Sequence, residues 1–454
     1  MRSFLAMTIP HGAIGAAAAL GLLVFTATPS GAVEVERVTS PGGIEAWLVE
    51  ESAVPIVTMN FAFRGGASQD PAERPGVANM LSTLLDEGAG DLDSQAFQER
   101  LADLNVRMSF NATRDAFYGQ LVTIADYRAD AFDLLRLALN EPRFDEEPIE
   151  RMRSRIEAGI RSDLQDPNAI AGRAWSAAVF GEHPYGSPVE GTLESVAAIT
   201  PDDVARLHGS MFARDNLTVA VVGDIGAEEL GPLLDTVFGG LPESADLTEV
   251  SEADMPRDAV VEQVEMAIPQ SVIQFGRPGL KRDDEDFIPA FVMNHILGGG
   301  TFSSRLYEEI REKRGLAYSV YTHLAPLDRA GLFVGGVATR ADRAGESLRI
   351  IKSEIERMAV EGSTEKELED AKKYLKGSYP LRFDSSGKIA RQLVEIQLED
   401  LGIDYIDRRN DLIDAVTIED VRRAAGEVLG DGALYVVLVG QPVGDALEAP
   451  AEGG

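Results

Sequence analysis

Cysteine is absent from the 454 residues, and histidine is scarce, with only five. No disulfide can stabilise the fold and no thiol can act as a nucleophile, so a metal site would have to be built from His, Asp and Glu. The glycine patterns GxSxG, GxxxxGK[ST] and GxGxxG are also missing. The common hydrolase elbow, the P-loop and the dinucleotide-binding fingerprint are therefore excluded.

Basic residues are outnumbered, with 42 Lys and Arg against 75 Asp and Glu and a formal net charge of −33. A negative field of this size repels nucleic acids and anionic lipid head groups. We expect no nucleic-acid partner, and no membrane partner once the N-terminal segment has been removed.

The N-terminal segment has the pattern of a secretory signal. Arg2 is followed by an apolar stretch from Ala13 to Thr26 and then by small residues ending at Ala32. We predict a signal peptide over 1–32, with cleavage near Ala32 and export to the periplasm. The alternative is an uncleaved anchor, although an apolar core of about 14 residues is short for the roughly 20 that a spanning helix needs.

The length predicts two domains, because single cores rarely grow beyond about 250 residues. An internal repeat supports this. Thr200-Pro201-Asp202-Asp203-Val204 leads to an apolar run that ends at Gly223, and Thr417-Ile418-Glu419-Asp420-Val421 leads to a similar run that ends at Gly440. Each copy predicts a Thr-capped helix followed by a β-branched strand. The chain is predicted to consist of two related α+β halves.

Composition sets the predicted boundaries of these halves. The segment 243–263 is rich in Glu, Asp, Ser and Pro and predicts a linker. The first domain is then 33–242 and the second 264–442, followed by an acidic tail over 443–454. Each half is predicted to be a sheet backed by helices.

Several motifs in fixed order resemble the insulinase/pitrilysin family of zinc metallopeptidases, also called inverzincins. They lie in both halves, at 64–68, 76–85, 183–186, 297–306 and 315–318. The resemblance implies an α+β fold of two homologous domains, each a mainly antiparallel sheet backed by helices, that form one half of a clam-shell. Two such chains would enclose a peptide chamber.

The zinc motif of that family is missing. Peptidases of the family carry His-x-x-Glu-His on one helix, where two imidazoles at i and i+4 bind zinc and the Glu activates water. Asn79, Ser82 and Thr83 occupy those positions here. Neutral side-chain oxygens are weak zinc ligands, and a serine hydroxyl is no general base at this position. We predict that this chain binds no metal.

The position of the third zinc ligand falls at Gly159, which has no side chain. Glu157 is close in sequence but is turned about 200° around the helix, so it is a poor substitute. The remaining histidines outside the signal segment show no i, i+4 pairing; they are His183, His208, His295 and His323.

The second half keeps a pair that the resemblance makes functional. An Arg and a Tyr seven residues apart bind substrate and stabilise the oxyanion in the family, and Arg311 and Tyr318 match that spacing. We expect Arg311 at the end of a helix over 303–314 and Tyr318 on a strand over 316–322. Arg314 and Tyr321 have the same separation, and a structural role for Arg311 in a local ion pair is the other interpretation.

The leading hypothesis is therefore a zinc-free partner subunit, with no catalytic residue in cis. A homologous subunit with an intact His-x-x-Glu-His would hold the zinc, and this chain would supply Arg311 and Tyr318 to a peptide substrate. The alternative is a non-enzymatic scaffold or peptide-binding protein derived from the family. An independent hydrolase with a different site has little support in the sequence.

Overall fold

A computed structural model describes residues 34–442. The predicted signal peptide and the tail from 443 onward lie outside the described residues. None of the described helices has both the length and the apolar character needed to cross a bilayer.

The first half is built around a six-stranded sheet of order β1-β2-β6-β3-β5-β4. Its neighbours pair antiparallel except β2 and β6, which are parallel. The strands are β1 Glu36–Thr39, β2 Glu45–Glu50, β3 Ile56–Arg64, β4 Arg107–Ala112, β5 Ala116–Ile124 and β6 Leu217–Gly223.

The second half repeats five of these strands in the order β7-β11-β8-β10-β9. As in the first sheet, one pair is parallel: β7 with β11, which corresponds to β2 with β6. The other neighbouring strands pair antiparallel. The strands are β7 Val260–Glu265, β8 Gln270–Pro278, β9 Ala317–Leu327, β10 Ala330–Arg340 and β11 Tyr435–Gly440. Identical order and direction confirm the two related α+β halves.

Helices pack on both sheets. Those of the first half of the sequence are α1 Val77–Ser82, α2 Ser94–Asp103, α3 Arg128–Asn140, α4 Glu146–Asp163, α5 Pro167–Phe180, α6 Leu193–Ala198, α7 Pro201–Met211 and α8 Ala227–Phe238. Those of the second half are α9 Phe287–Asn294, α10 Arg305–Tyr307, α11 Ala344–Glu361, α12 Glu365–Gly377, α13 Ser386–Leu398, α14 Tyr405–Ala415 and α15 Ile418–Leu429.

The repeated threonines cap equivalent helices. Thr200 and Asp203 form a capping box at α7, and Thr417 and Asp420 form the same box at α15. The strands that follow, β6 and β11, lie at the same position in their sheets. The local sequence pattern thus defines the same unit twice.

One helix from each half packs on the sheet of the other half. Helix α5 lies on β8 and β11, where the indole N–H of Trp175 donates to the carbonyl oxygen of Tyr435 over 3.0 Å. Helix α13 lies on β3 and β6, where Gln397 donates to the carbonyl oxygen of Val219 over 3.1 Å. The two sheets are therefore each covered on one face by a helix from the other half.

The predicted linker is too long at its C-terminal end. Its boundary at 263/264 falls inside β7, which pairs in parallel with β11 from Val260 onward. The partner strand lies at the far end of the chain, so local composition could not indicate this pairing. The segment between the halves ends before Val260.

Candidate functional site

Helix α1, which carries the zinc-motif positions, is held by an acidic cap before it. The Asp70 carboxylate accepts hydrogen bonds from the backbone N–H groups of Gly76 and Ala78, each at 2.7 Å. Gly76 has φ 104°, and a Cβ there would lie 2.9 Å from the carbonyl oxygen of Glu190. The sequence interpretation missed Asp70, because it lies six residues before the glycine rather than at the usual cap position.

Two of the three motif side chains of α1, those of Ser82 and Thr83, are hydrogen-bonded within the helix. The hydroxyl of Ser82 donates to the carbonyl oxygen of Asn79 over 2.7 Å, and the hydroxyl of Thr83 donates to that of Met80 over 2.8 Å. Ser82 is buried, and Thr83 already lies at the C-cap of the helix. Neither hydroxyl proton is free for transfer, and neither oxygen is a good ligand for a borderline-soft cation.

Gly159 lies on the exposed side of α4. A Cβ added there would meet nothing within 4 Å, so the position of the third ligand is open space. Glu157 forms an i,i+4 ion pair with Arg161 at 2.8 Å.

The histidines do not converge. His208 is hydrogen-bonded to the carbonyl oxygen of Leu139 at 2.9 Å, and burial lowers the pKa of its ring. His295 stacks on Tyr374 and His323 on Tyr321. Across residues 34–442, no three His, Asp or Glu side chains form a group that could hold a metal ion. The donors at the zinc-motif positions of this chain do not fit zinc.

The structure brings Arg311 and Tyr318 into contact. The Arg311 guanidinium carbon lies 4.9 Å from the centre of the Tyr318 ring and 4.8 Å from that of Tyr307, with Phe302 at 6.0 Å. Tyr318 is 83% exposed and Phe302 is 75% exposed. A cation held against aromatic faces keeps its N–H edges directed outward. Arg311 and Tyr318 thus form one solvent-facing cationic and phenolic group.

Local acids do not neutralise Arg311. Glu308 pairs with Lys313 at 3.1 Å, and Glu309 pairs with both Lys313 and Arg314. Arg311 itself forms no ion pair within the described part of the chain. The interpretation of Arg311 as half of a local ion pair therefore has no contact to support it.

The residues of the alternative pair, Arg314 and Tyr321, each contact other residues. Arg314 is bound to the carboxylate and the carbonyl oxygen of Glu309, and the Tyr321 hydroxyl lies against Gly336. The geometry therefore favours the register of Arg311 and Tyr318.

The backbone around Arg311 differs from the expected helix over 303–314. The helix begins at Arg305 after Ser304, whose hydroxyl accepts from the N–H of Tyr307, and Glu308–Glu312 forms a π-helical turn. A π turn rotates the residues after it relative to an α-helix, and such turns occur often at functional sites. Phe302 and Tyr307 belong to the Arg311 group and were missed, because nothing in their spacing relates them to position 311.

Two family models match this sequence. Residues 47–193 match the model described as insulinase, peptidase family M16, and residues 198–375 match the one described as peptidase M16 inactive domain. The chain belongs to peptidase family M16. These matches confirm the family resemblance that the sequence motifs indicated.

Related proteins of the M16 family cover most of the chain. A non-peptidase homolog YmxG of Helicobacter pylori is 27% identical over 73% of this chain and 77% of its own length. An uncharacterized zinc protease of Streptomyces coelicolor is 29% identical over 87% of both chains. The name of the Helicobacter pylori relative, a non-peptidase homolog, agrees with the side chains at the zinc-motif positions here, which do not fit zinc. The matches support a non-catalytic member of the family.

Solved structures have the same fold. A peptidase M16 inactive domain from Pseudomonas fluorescens superposes with a TM-score of 0.85 at 28% identity and covers 90% of this chain and 98% of its own. A protease from Helicobacter pylori gives 0.81 at 18% identity, covering 90% of this chain and 99% of its own. The two helix-backed sheets are thus the M16 fold.

Proposed function

We propose that this chain is the zinc-free subunit of a two-chain M16 peptidase. A homologous subunit with intact His-x-x-Glu-His would hold zinc and activate water, while this chain would close the peptide chamber. The main support is the Arg311 and Tyr318 group, which is solvent-facing and has no acidic partner among residues 34–442. It belongs to a chain whose zinc-motif side chains do not fit the metal.

The chemistry of the Arg311 group suits an oxyanion. In peptide hydrolysis, negative charge develops on the carbonyl oxygen as the tetrahedral intermediate forms, and donors directed at that oxygen lower the barrier. The guanidinium supplies several N–H donors in a plane and the phenol supplies one O–H. Because the Arg311 side chain forms no ion pair within residues 34–442, no carboxylate has to be displaced from it when it binds substrate.

The surface around Arg311 also suits a partner protein. Phe302 and Tyr318 are largely exposed next to the arginine, and aromatic residues with Arg are enriched where protein interfaces bind most strongly. A scaffold without peptidase function could use this surface as well. Only the peptidase hypothesis requires a zinc-bearing M16 chain on the other side.

The test is isolation of this chain from its native host with whatever remains bound. We expect a co-purified homologue with His-x-x-Glu-His, and peptide hydrolysis that is lost on chelation and absent from either chain alone. Zinc-dependent hydrolysis by the lone chain would refute the proposal. Isolation of the chain alone, or only with partners that lack the motif, would favour the scaffold.

A further inference from the structure

A cleft of about 530 Å³ opens among α9, α13, α14 and strand β9, with Tyr118 of the first sheet at one side. Apolar side chains, including Phe287, Phe291 and Ile413, form much of its wall. This volume is in the range of small-molecule sites, which combine apolar walls with a few directed polar groups. The Arg311 group does not line it.

An arginine without a counter-ion lies in this cleft. Arg409 is 6% exposed, and its guanidinium stacks 4.0 Å from the centre of the Tyr379 ring. Its Nη1 donates to the carbonyl oxygen of Leu375 at 3.3 Å and to the side chain of Asn410 at 3.4 Å. No ion pair with a carboxylate forms within residues 34–442, although a buried charge is costly unless it is paired.

Its charged neighbours are cationic. Burial lowers the pKa of Arg409, and Arg382 and Arg282 lower it further, while Tyr405 and Tyr379 act in the opposite direction. Arg282 also lines the cleft and donates to the Tyr405 hydroxyl at 2.8 Å. Arg282, Arg382 and Arg409 thus all line one cleft of a chain whose net charge is −33.

Two buried polar atoms in the same cleft have no hydrogen-bond partner. They are the hydroxyl of Tyr379 and Oδ1 of Asn294, and each of these residues is only 5% exposed. Buried polar groups are nearly always hydrogen-bonded, so an unpaired one needs an explanation. A ligand in the cleft would satisfy both atoms if it accepted a hydrogen bond from the Tyr379 hydroxyl and donated one to Asn294 Oδ1.

The acids of the cleft limit the charge of that ligand. Glu395 and Glu399 also line it, and burial raises the pKa of both, that of Glu399 to about 7. A doubly charged phosphate would be repelled by these carboxylates wherever they are ionised. A ligand with a single carboxylate pairs with the arginines, and its apolar part packs against the aromatic wall of the cleft.

From this geometry we infer that the cleft is a binding site for a small apolar or aromatic monocarboxylate, held by Arg409 and Arg282 and hydrogen-bonded by Tyr379. The site lies within one chain and needs no second subunit. It is therefore independent of the proposed peptidase function.

The test uses the purified lone chain and isothermal titration calorimetry. The probe is N-acetyl-L-phenylalanine, and its neutral amide and inorganic phosphate are the comparisons. We expect saturable binding of the acid and binding of the amide about tenfold weaker or more, as for loss of a charge-assisted hydrogen bond. Absence of acid binding, equal affinity for acid and amide, or tighter phosphate binding would each overturn the inference.

Two variants locate the ligand. Tyr379→Phe removes only the unpaired hydroxyl, so the folded chain should be at least as stable while affinity for the acid falls severalfold. Arg282→Gln should weaken the acid about tenfold with little change for the amide. Tyr374→Phe is the matched control, because this tyrosine is 56% exposed and does not line the cleft. Unchanged affinity in both cleft variants would place the ligand elsewhere and contradict the assignment.

Discussion

The Ser82 hydroxyl donates to the carbonyl oxygen of Asn79, 2.7 Å away on the same helical turn. This bond joins two positions that hold a zinc ligand and the general base in peptidases of the family. Restoring one residue cannot restore the site, because a catalytic zinc site needs three protein ligands.

Restoring the motif should create a tight zinc site only when the third ligand is restored with it. We expect Asn79→His, Ser82→Glu and Thr83→His together to bind zinc weakly, through two imidazoles at i and i+4. Addition of Gly159→Glu should tighten binding markedly, because nothing lies within 4 Å of the new Cβ. Zinc titration of both variants measures the difference. Equal affinities would mean that α4 does not face the motif.

Gly159→Ala alone should stabilise the chain. Gly159 lies inside α4 with no neighbour that a methyl group would meet, and glycine inside a helix costs roughly 0.5–1 kcal/mol relative to alanine. Chemical denaturation should show a gain of that size. Gly119→Ala is the contrasting control, because its Cβ would lie 2.1 Å from the Phe61 ring and overpacking typically costs about 1–3 kcal/mol.

Arg311→Ala should lower turnover by the assembled peptidase about 10²-fold or more, as for loss of an oxyanion donor. The matched control is Arg314→Ala, which removes an exposed pair with Glu309 and should cost at most about 1 kcal/mol of stability without loss of turnover. Tyr318→Phe keeps the ring against Arg311 and tests the hydroxyl alone. Equal loss in Arg311→Ala and Arg314→Ala would point to a general effect on assembly and not to the oxyanion.

Glu399 should make stability depend on pH. Burial raises its pKa from 4.5 to about 7, with Asp328 and Asp115 adding to the rise and Arg282 and Arg64 opposing it. The folded chain therefore retains a proton that the unfolded chain loses above about pH 4.5, so this contribution is present at low pH and is lost as pH rises through about 7. Glu399→Gln cannot titrate.

The free energy of unfolding of Glu399→Gln, relative to that of the wild type, should thus be higher at about pH 8 than at about pH 5. Denaturation curves at both values give the comparison. Glu419→Gln, on exposed surface near the start of α15, serves as a control that should show no such pH-dependent gain. A constant difference between Glu399→Gln and wild type across this range would mean that the carboxyl is not desolvated.

The sequence predicted what depends on local signals. Thr200 and Thr417 cap their helices because Asp203 and Asp420 complete the capping boxes three residues later. The zinc-motif positions followed from the family resemblance. By contrast, Arg409 has the pattern of an ordinary charged residue on a helix, and only packing of α14 against Tyr379 buries it. Likewise, the amphipathic pattern of α13 shows that one face is buried without showing which sheet covers it.

The crossed positions of α5 and α13 have a consequence for how the molecule is made. Each helix covers a sheet of the other half in the manner of an intramolecular domain swap, and the core cluster around Trp175 and Val437 contains residues of both halves. A protease cut between the halves, before Val260, should leave two fragments that remain associated without a covalent bond.

The order of synthesis then matters. When α5 has been made, the apolar side chains of Trp175, Val179 and Phe180 stay uncovered until β8 and β11 follow. Such uncovered apolar side chains make folding intermediates prone to aggregation. We therefore expect the first half to depend on chaperones until the second half is complete, and the chain to reach its native state as one cooperative unit.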